Sequence, residues 1–298
     1  MPDLKLIFGI LFLGFVWAGE TALGKLYLAN GGTATEFPAL LNLGTVVIVS
    51  AYAVARGDIE IFSLSARKAR AIFLSAISLI FVPYLIIYHA LSVLTPAEIA
   101  LISSLTPACA VLLTCASARS WPELRAIAAV LVGLIGTALL VATNGEEKIG
   151  TDHAFWIALM LLVPLSYALS GFAIKLGAKE GVGYLQLTLF INTISLALFV
   201  CTNEYKITTS ATNYQSILYI VAGIVFNIAA SSALLILARR TSAIRLSFSN
   251  YSTIFWASLM SVFLFSKPIE VNFFVAAALI VLSVYLVNVA GSADRTSA

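Results

Sequence analysis

The sequence predicts an all-α membrane protein: ten transmembrane helices in two inverted five-helix repeats, with both termini cytoplasmic. Three observations carry that prediction. The first is composition. The chain has 298 residues, of which 61% are hydrophobic and only 10% charged, where a soluble domain is about 25% charged. It has the apolar residues for a large core but not the polar ones for a soluble surface. The second is a series of apolar runs, each of about 20 residues and so able to cross the roughly 30 Å hydrocarbon layer. Lipid leaves only helices or closed barrels as spanning structures, and the alternation of a membrane barrel is absent. The third is an internal repeat, set out below.

The spans fall at about 5–28, 37–55, 70–91, 97–117, 122–142, 153–177, 184–202, 214–237, 243–265 and 270–290. The first is too long for the core of a signal peptide, and no small-residue cleavage site follows it. It carries Trp17, Glu20, Thr21, Gly24 and Lys25 on an arc of about 140° at 100° per residue. Ionisable groups inside a membrane normally face a protein interior or a wet cavity, so this face is expected to line one. Glu20 lies about two turns from the nearer end of the span. A carboxyl at that depth can carry a coupling proton, or it can hydrogen-bond a neighbouring helix as the neutral acid. Lys25 sits within a turn of the outer boundary and can also snorkel.

The second span offers Asn42, the seventh Asn192 and the eighth Asn227, all suited to hydrogen bonds between helices. The third places Phe81, Tyr84 and Tyr88 at i, i+3 and i+7. The fourth opens on Thr95-Pro96-Ala97-Glu98, a capping box with proline at the first helical position. It then sets Ser103, Pro107, Ala110 and Thr114 on one face, with Pro107 the expected hinge. The sixth repeats the polar arc of the first with Tyr167, Ser170, Gly171 and Lys175. The ninth carries Ser247, Asn250, Tyr251 and Ser258. Aromatic groups at Trp17, Tyr84, Tyr88, Tyr167 and Tyr251 would suit an apolar solute, or an ammonium group through cation–π contact.

Cys109, Cys115 and Cys201 fall inside spans and read as small packing residues. His89 and His153 are far apart, and no Cys/His cluster has metal-ligand spacing. No cofactor, metal or catalytic residue is expected. The net charge of +3 is no nucleic-acid signature, and the expected partners are the lipid bilayer and a small-molecule substrate. The unit is expected to act as a monomer or homodimer.

Lys and Arg set the orientation. One side collects Lys5, Arg56, Arg67, Lys68, Arg70, Arg119, Arg125, Lys179, Arg239, Arg240, Arg245 and Arg295. The other has only Lys148, Lys206 and Lys267. The richer side is read as cytoplasmic.

The repeat aligns "VWAGETALGKLYLANGGTATEFPALLN" with "SYALSGFAIKLGAKEGVGYLQLTLFIN" at a shift of 150, so that Trp17 meets Tyr167, Lys25 meets Lys175, Glu36 meets Gln186 and Asn42 meets Asn192. Further on the shift is 146, which pairs Thr95 with Thr241, Ala97 with Ala243 and Pro122 with Pro268. Residues 1–143 and 153–291 form the two halves, separated by the acidic "NGEEKIGTDH". Five spans is an odd number, so the second half enters the membrane inverted. Transporters built this way bind substrate near mid-membrane, between the halves.

With "LTPAEIALISSLTPACAVLL" in the fourth span and "RTSAIRLSFSNYSTIFWASLMSVFLFSKP" leading to the tenth, the chain resembles the EamA-type exporters of the drug/metabolite transporter superfamily over nearly its whole length. In that group an acidic residue often follows Gly before the fifth and tenth spans. Here those places read "ARSWPE" and "FSKPIE", and the ninth-span partner of Pro107 is Thr253. The four-helix small multidrug-resistance relatives carry a proton-binding Glu eight residues before the first-span Lys. That place is Trp17 here, and Tyr167 in the second half.

The resemblance implies a secondary active transporter, not an enzyme, in a bacterial-type cytoplasmic membrane. It would export a small organic metabolite, an amino acid or an amphiphilic drug-like solute, by alternating access. The expected substrate contacts are Trp17, Lys25, Tyr84, Tyr88, Ser103, Tyr167, Lys175, Asn250 and Tyr251, with Glu20 as the candidate for proton coupling. A nucleotide-sugar or other metabolite exchanger of the same fold is the alternative. It ranks lower because a di-anion takes several cations and the spans offer only Lys25 and Lys175. An intramembrane enzyme or a structural or receptor protein is the alternative of another class.

Overall fold

A computed structural model describes residues 4–90, 93–94, 99, 102–142, 151–202, 213–265 and 271–293, and every regular element among them is helical. In the first half these are α1 (Leu4–Ala29), α2 (Glu36–Ala55), α3 (Ala66–Ala90), α4 (Thr106–Ala118) and α5 (Leu124–Ala142). In the second half, α6 is in two pieces, Thr151–Met160 and Leu162–Lys179. It is followed by α7 (Tyr184–Cys201), α8 (Tyr214–Arg240), the broken α9 (Ala243–Ser247 and Ser249–Phe265) and α10 (Val271–Ala293). A 3₁₀ turn, Ile59–Phe62, joins α2 to α3, and Ile77–Phe81 within α3 is wound as a π-helix.

Six of these helices, α1, α2, α3, α6, α7 and α8, are long and apolar enough to cross a membrane; shorter apolar stretches lie in α4, α5 and α10. The expected fourth span, 97–117, is not one unbroken helix: the chain turns at Ser104 and Leu105 before α4 begins. The Thr95–Glu98 capping box, residues 144–150 of the acidic stretch with Lys148, and Lys206, Lys267, Pro268 and Arg295 lie outside the described residues. Large apolar side chains such as Phe8, Val47, Leu112, Leu131, Phe155 and Val225 point outward. Water would penalise that surface and lipid does not.

Packing follows a simple scheme. α1 lies against α8 and α9, and α6 against α3 and α4. α2 packs on α7 and α8, α7 also packs on α3, and α5 pairs with α10. The α1–α9 contact is close because Gly14 has no side chain. A Cβ there would come within 2.7 Å of the Ser252 backbone carbon. At that approach Ser252 Oγ and Trp256 Nε1 each donate to the Leu11 carbonyl at 3.1 Å. In lipid, where apolar burial gives little drive, close backbone packing and such hydrogen bonds hold helices together.

Among the described residues, the turns after α1, α2 and α6 each place a glycine in the left-handed region, with Gly57 after α2 at φ 68°. Gly31 after α1 has φ 87° and Gly181 after α6 has φ 76°. The same end of the bundle as Gly181 is tied by side chains. Gln186 Nε2 donates to the carbonyls of Ser63 (2.8 Å) and Ile61 (3.2 Å), and Arg239 Nη2 donates to the Val182 carbonyl (2.6 Å).

Candidate functional site

Polar side chains on spanning helices tend to find partners or face a wet space, and one group of them meets in a cavity. This cavity lies between α1, α3, α6, α8 and α9, with the segment before α4 closing it. Its volume is about 140 Å³, enough for several waters. α1 gives it Trp17, Glu20 and Thr21; α3 gives Leu79, Ile80, Tyr84 and Ile87; α6 gives Tyr167. Ser103 enters from the residues before α4. α8 contributes Asn227, Ala230, Ser231 and Leu234, and α9 contributes Asn250, Thr253, Ile254 and Ala257.

Glu20 is the polar centre of this wall. It is only 2% exposed. Its Oε1 accepts the hydroxyl proton of Tyr84 from across the cavity, and its Oε2 has no hydrogen-bond partner. A buried carboxyl with one oxygen unsatisfied is costly, and a residue that keeps this arrangement is suited to receive a proton or a ligand's N–H.

Trp17 and Tyr167 stack with ring centroids 6.4 Å apart and planes 15° from parallel. A second, smaller pocket shares this pair, as well as Leu79, Leu234 and Asn250. It extends toward Ser170, Gly171, Ala243 and Ser247. α9 acts as a ruler along the two spaces. Its residues 243–250 line the small pocket and its residues 250–257 line the large one. The aromatic pair therefore lies in the wall that both spaces share.

The breaks in α4 and α9 reach the same region by different chemistry. Pro107 has no N–H to offer the Ser103 carbonyl. Thr106 Oγ1 donates to that carbonyl instead, at 2.7 Å, and α4 starts beside it. α9 has no proline near its break. Ser247, Ser249 and Asn250 donate to the carbonyls of Ile244, Leu246 and Ser247 at 2.6, 2.7 and 3.0 Å. Such back-bonding by short polar side chains competes with the helix ladder. The freed turns place Ser103 and Asn250 on the cavity.

Among the residues expected from sequence, Trp17, Glu20, Tyr84, Ser103, Tyr167 and Asn250 come together at the cavity. The others are placed elsewhere. Tyr88 is buried with Phe37, at 6.0 Å between centroids, and its ring fills the space beside Gly24. Tyr251 is fully buried and donates to the Val130 carbonyl of α5 at 3.0 Å. Lys25 and Lys175 are half-buried near the ends of α1 and α6 and are not among the lining residues, and Pro107 is buried at the start of α4. The α8 wall was legible only in part. Asn227 does join helices, donating to Asn192 Oδ1 at 2.8 Å, but it also faces the cavity, as does Ser231 one turn on. The i, i+4 spacing of Asn227 and Ser231 was the available signal. Among the described residues no group of three or more His, Cys, Asp or Glu is placed to hold a metal ion.

Residues 4–142 match the EamA-like transporter family. A solved crystal structure, described only as that of a protein, superimposes with a TM-score of 0.76 at 19% identity, covering 97% of this chain and 98% of its own. At that identity the likeness is one of fold. No curated protein sequence matches the chain. Over residues 4–142 the chain is thus similar to the EamA-like transporter family, and its six long apolar helices are those of a multi-pass membrane protein.

Proposed function

We propose that this chain is a secondary transporter that exports a small organic solute across a bacterial-type cytoplasmic membrane by alternating access. One observation carries the reading: a cavity in mid-bundle, walled by five helices and the segment before α4, that abuts a second, smaller pocket through the Trp17–Tyr167 stack. Alternating access needs two spaces that can trade size on either side of one binding position. Trp17, Tyr84, Tyr167, Ser103 and Asn250 contact the solute, and Glu20 carries the coupling proton.

The ten-span inverted repeat, with halves at residues 1–143 and 153–291, is part of this proposal. The packing scheme supports it. Exchanging each helix for the one five places along turns α1–α9 into α6–α4, α1–α8 into α6–α3 and α2–α8 into α7–α3, while α2–α7 and α5–α10 map onto themselves. Gly31 and Gly181, at the shift of 150, end α1 and α6 in the same conformation. With cytoplasmic termini, an impermeant reagent labels a single cysteine at position 148 from outside and one at position 68 only after permeabilisation. The reverse pattern defeats the topology.

Transport itself is tested by radiolabelled counterflow in proteoliposomes across a panel of amino acids and amphiphilic amines. Saturable exchange of at least one solute is expected. Its absence across the panel would favour an intramembrane enzyme or a receptor.

A further inference from the structure

The hydrogen-bonding character of the cavity wall selects among those solutes. Several of its donors are already engaged within the protein. Thr21 Oγ1 donates to the Trp17 carbonyl at 3.0 Å and Thr253 Oγ1 to the Ser249 carbonyl at 2.9 Å. The Tyr84 hydroxyl donates to Glu20. Both lining amides also donate inward, Asn227 to Asn192 Oδ1 and Asn250 to the Ser247 carbonyl. Glu20 Oε2 stands without a partner. No Lys, Arg or His is among the described lining residues. The wall therefore offers one carboxyl and no cation among its described residues, with the rings of Trp17, Tyr84 and Tyr167 lining the same space.

We infer that the solute is an organic monocation: an amine with an aromatic or apolar body and no carboxylate. Its ammonium group has N–H donors and no acceptor. It would meet Glu20 Oε2 through a charge-assisted hydrogen bond and the aromatic faces through cation–π attraction. Its ring would lie against Leu79, Ile80 and the Trp17–Tyr167 pair. An amino acid brings the same ammonium but also a carboxylate, which would enter a wall with no cation among its described residues to pair it. The inference rests on the transporter reading for its biological meaning, but the binding chemistry stands separately.

The test uses the full chain in lipid nanodiscs and four probes with one phenyl ring and a two- or three-carbon chain: 2-phenylethylamine, 2-phenylethanol, phenylalanine and 3-phenylpropionate. Affinity is read by calorimetry, with Glu20→Gln and Glu20→Asp alongside to remove partition into lipid. The amine should bind roughly tenfold or more tightly than the other three, as one charge-assisted hydrogen bond dictates. Glu20→Gln should erase that preference while keeping an unchanged melting temperature, and Glu20→Asp should restore part of it. Equal or tighter binding of phenylalanine or phenylpropionate overturns the inference. So does a preference that survives Glu20→Gln, or no binding by any probe. Counterflow of the same four solutes separates the two claims. Amine binding without exchange of any probe would defeat transport and leave the ligand class standing. Exchange of phenylalanine but not the amine would do the opposite.

Discussion

α1 and α6 present related faces to the centre of the bundle, yet only one carries an acid. At the shift of 150, Trp17 corresponds to Tyr167, and the two rings stack against each other. Glu20 corresponds to Ser170. Glu20 reaches across to Tyr84 on α3. Ser170 bonds back to its own helix, donating to the Tyr167 carbonyl at 2.8 Å. The α1 face opens on the large cavity and the α6 face on the small pocket. Both aromatic positions place a ring in the wall that the two spaces share. Among the described residues that line the two spaces, the acid occurs once.

The largest effect should come from breaking that asymmetry. Glu20→Gln keeps shape and most hydrogen-bonding capacity but cannot ionise. It should abolish gradient-driven accumulation in proteoliposomes. Exchange, which moves no net proton, should continue once solute is raised above the weakened affinity. Ser170→Ala removes a hydroxyl bonded only to its own helix and should change transport by no more than about twofold, the scale of a substitution within roughly 0.5 kcal/mol. Gradient-driven transport that survives Glu20→Gln with unchanged pH dependence would make Glu20 structural and move any coupling elsewhere.

The same helices differ in how closely their partners approach. Gly14 of α1 has Ser252 of α9 where its side chain would be, including a backbone atom at 2.7 Å that cannot rotate away. Gly14→Ala must push α9 off α1 and strain the bonds from Ser252 and Trp256 to Leu11. Overpacking of this kind costs about 1–3 kcal/mol, to be read as a lowered melting temperature in detergent. An unchanged melting temperature would mean that the α1–α9 contact yields easily.

Much of this was readable from sequence where one helix decides the outcome. The arc on α1 was correct in kind, because 100° per residue fixes which residues share a face. Its extent was not readable. Gly24 and Lys25 lie on the arc, but the Tyr88 ring from α3 fills the space beside Gly24 and ends the cavity at Thr21. The depth at which a neighbour closes a face is a property of packing between distant segments. Tyr251 fails for a simpler reason. It follows Asn250 by 100°, so when Asn250 faces the cavity the tyrosine ring turns to α5, where Gly133 leaves room for it. The α9 break was hidden because serine and asparagine back-bonding has no signature as plain as Pro107.

A smaller effect separates the two aromatic partners from the rest of the wall. Trp17→Ala and Tyr167→Ala each remove one side of the stack. Aromatic pairs contribute about 0.5–1.5 kcal/mol, so each single change should weaken apparent affinity roughly twofold to tenfold. The double mutant should be less impaired than the two effects added, because either change alone already removes the pair. Strict additivity would mean that the rings act on the solute independently. Equal loss of folded protein and activity would mean that they are core packing.

The least effect is expected at Gly171, where α6 approaches the start of α9. A Cβ there would meet the Ala243 Cβ at 3.5 Å, an ordinary contact, in contrast to Gly14. Alanine in a helix interior is favoured over glycine by up to about 1 kcal/mol, so Gly171→Ala should melt no lower than the parent. The added methyl projects into the small pocket, whose volume is only about 20 Å³. If the small pocket is the closed counterpart of the large cavity, it widens in the other half of the cycle, and exchange should stay within about twofold of the parent. A variant that is as stable as the parent but no longer exchanges would show that α6 and α9 must come closer still at Gly171. The small pocket would then be a contact that closes further during transport, and the two faces would differ in movement as well as in charge.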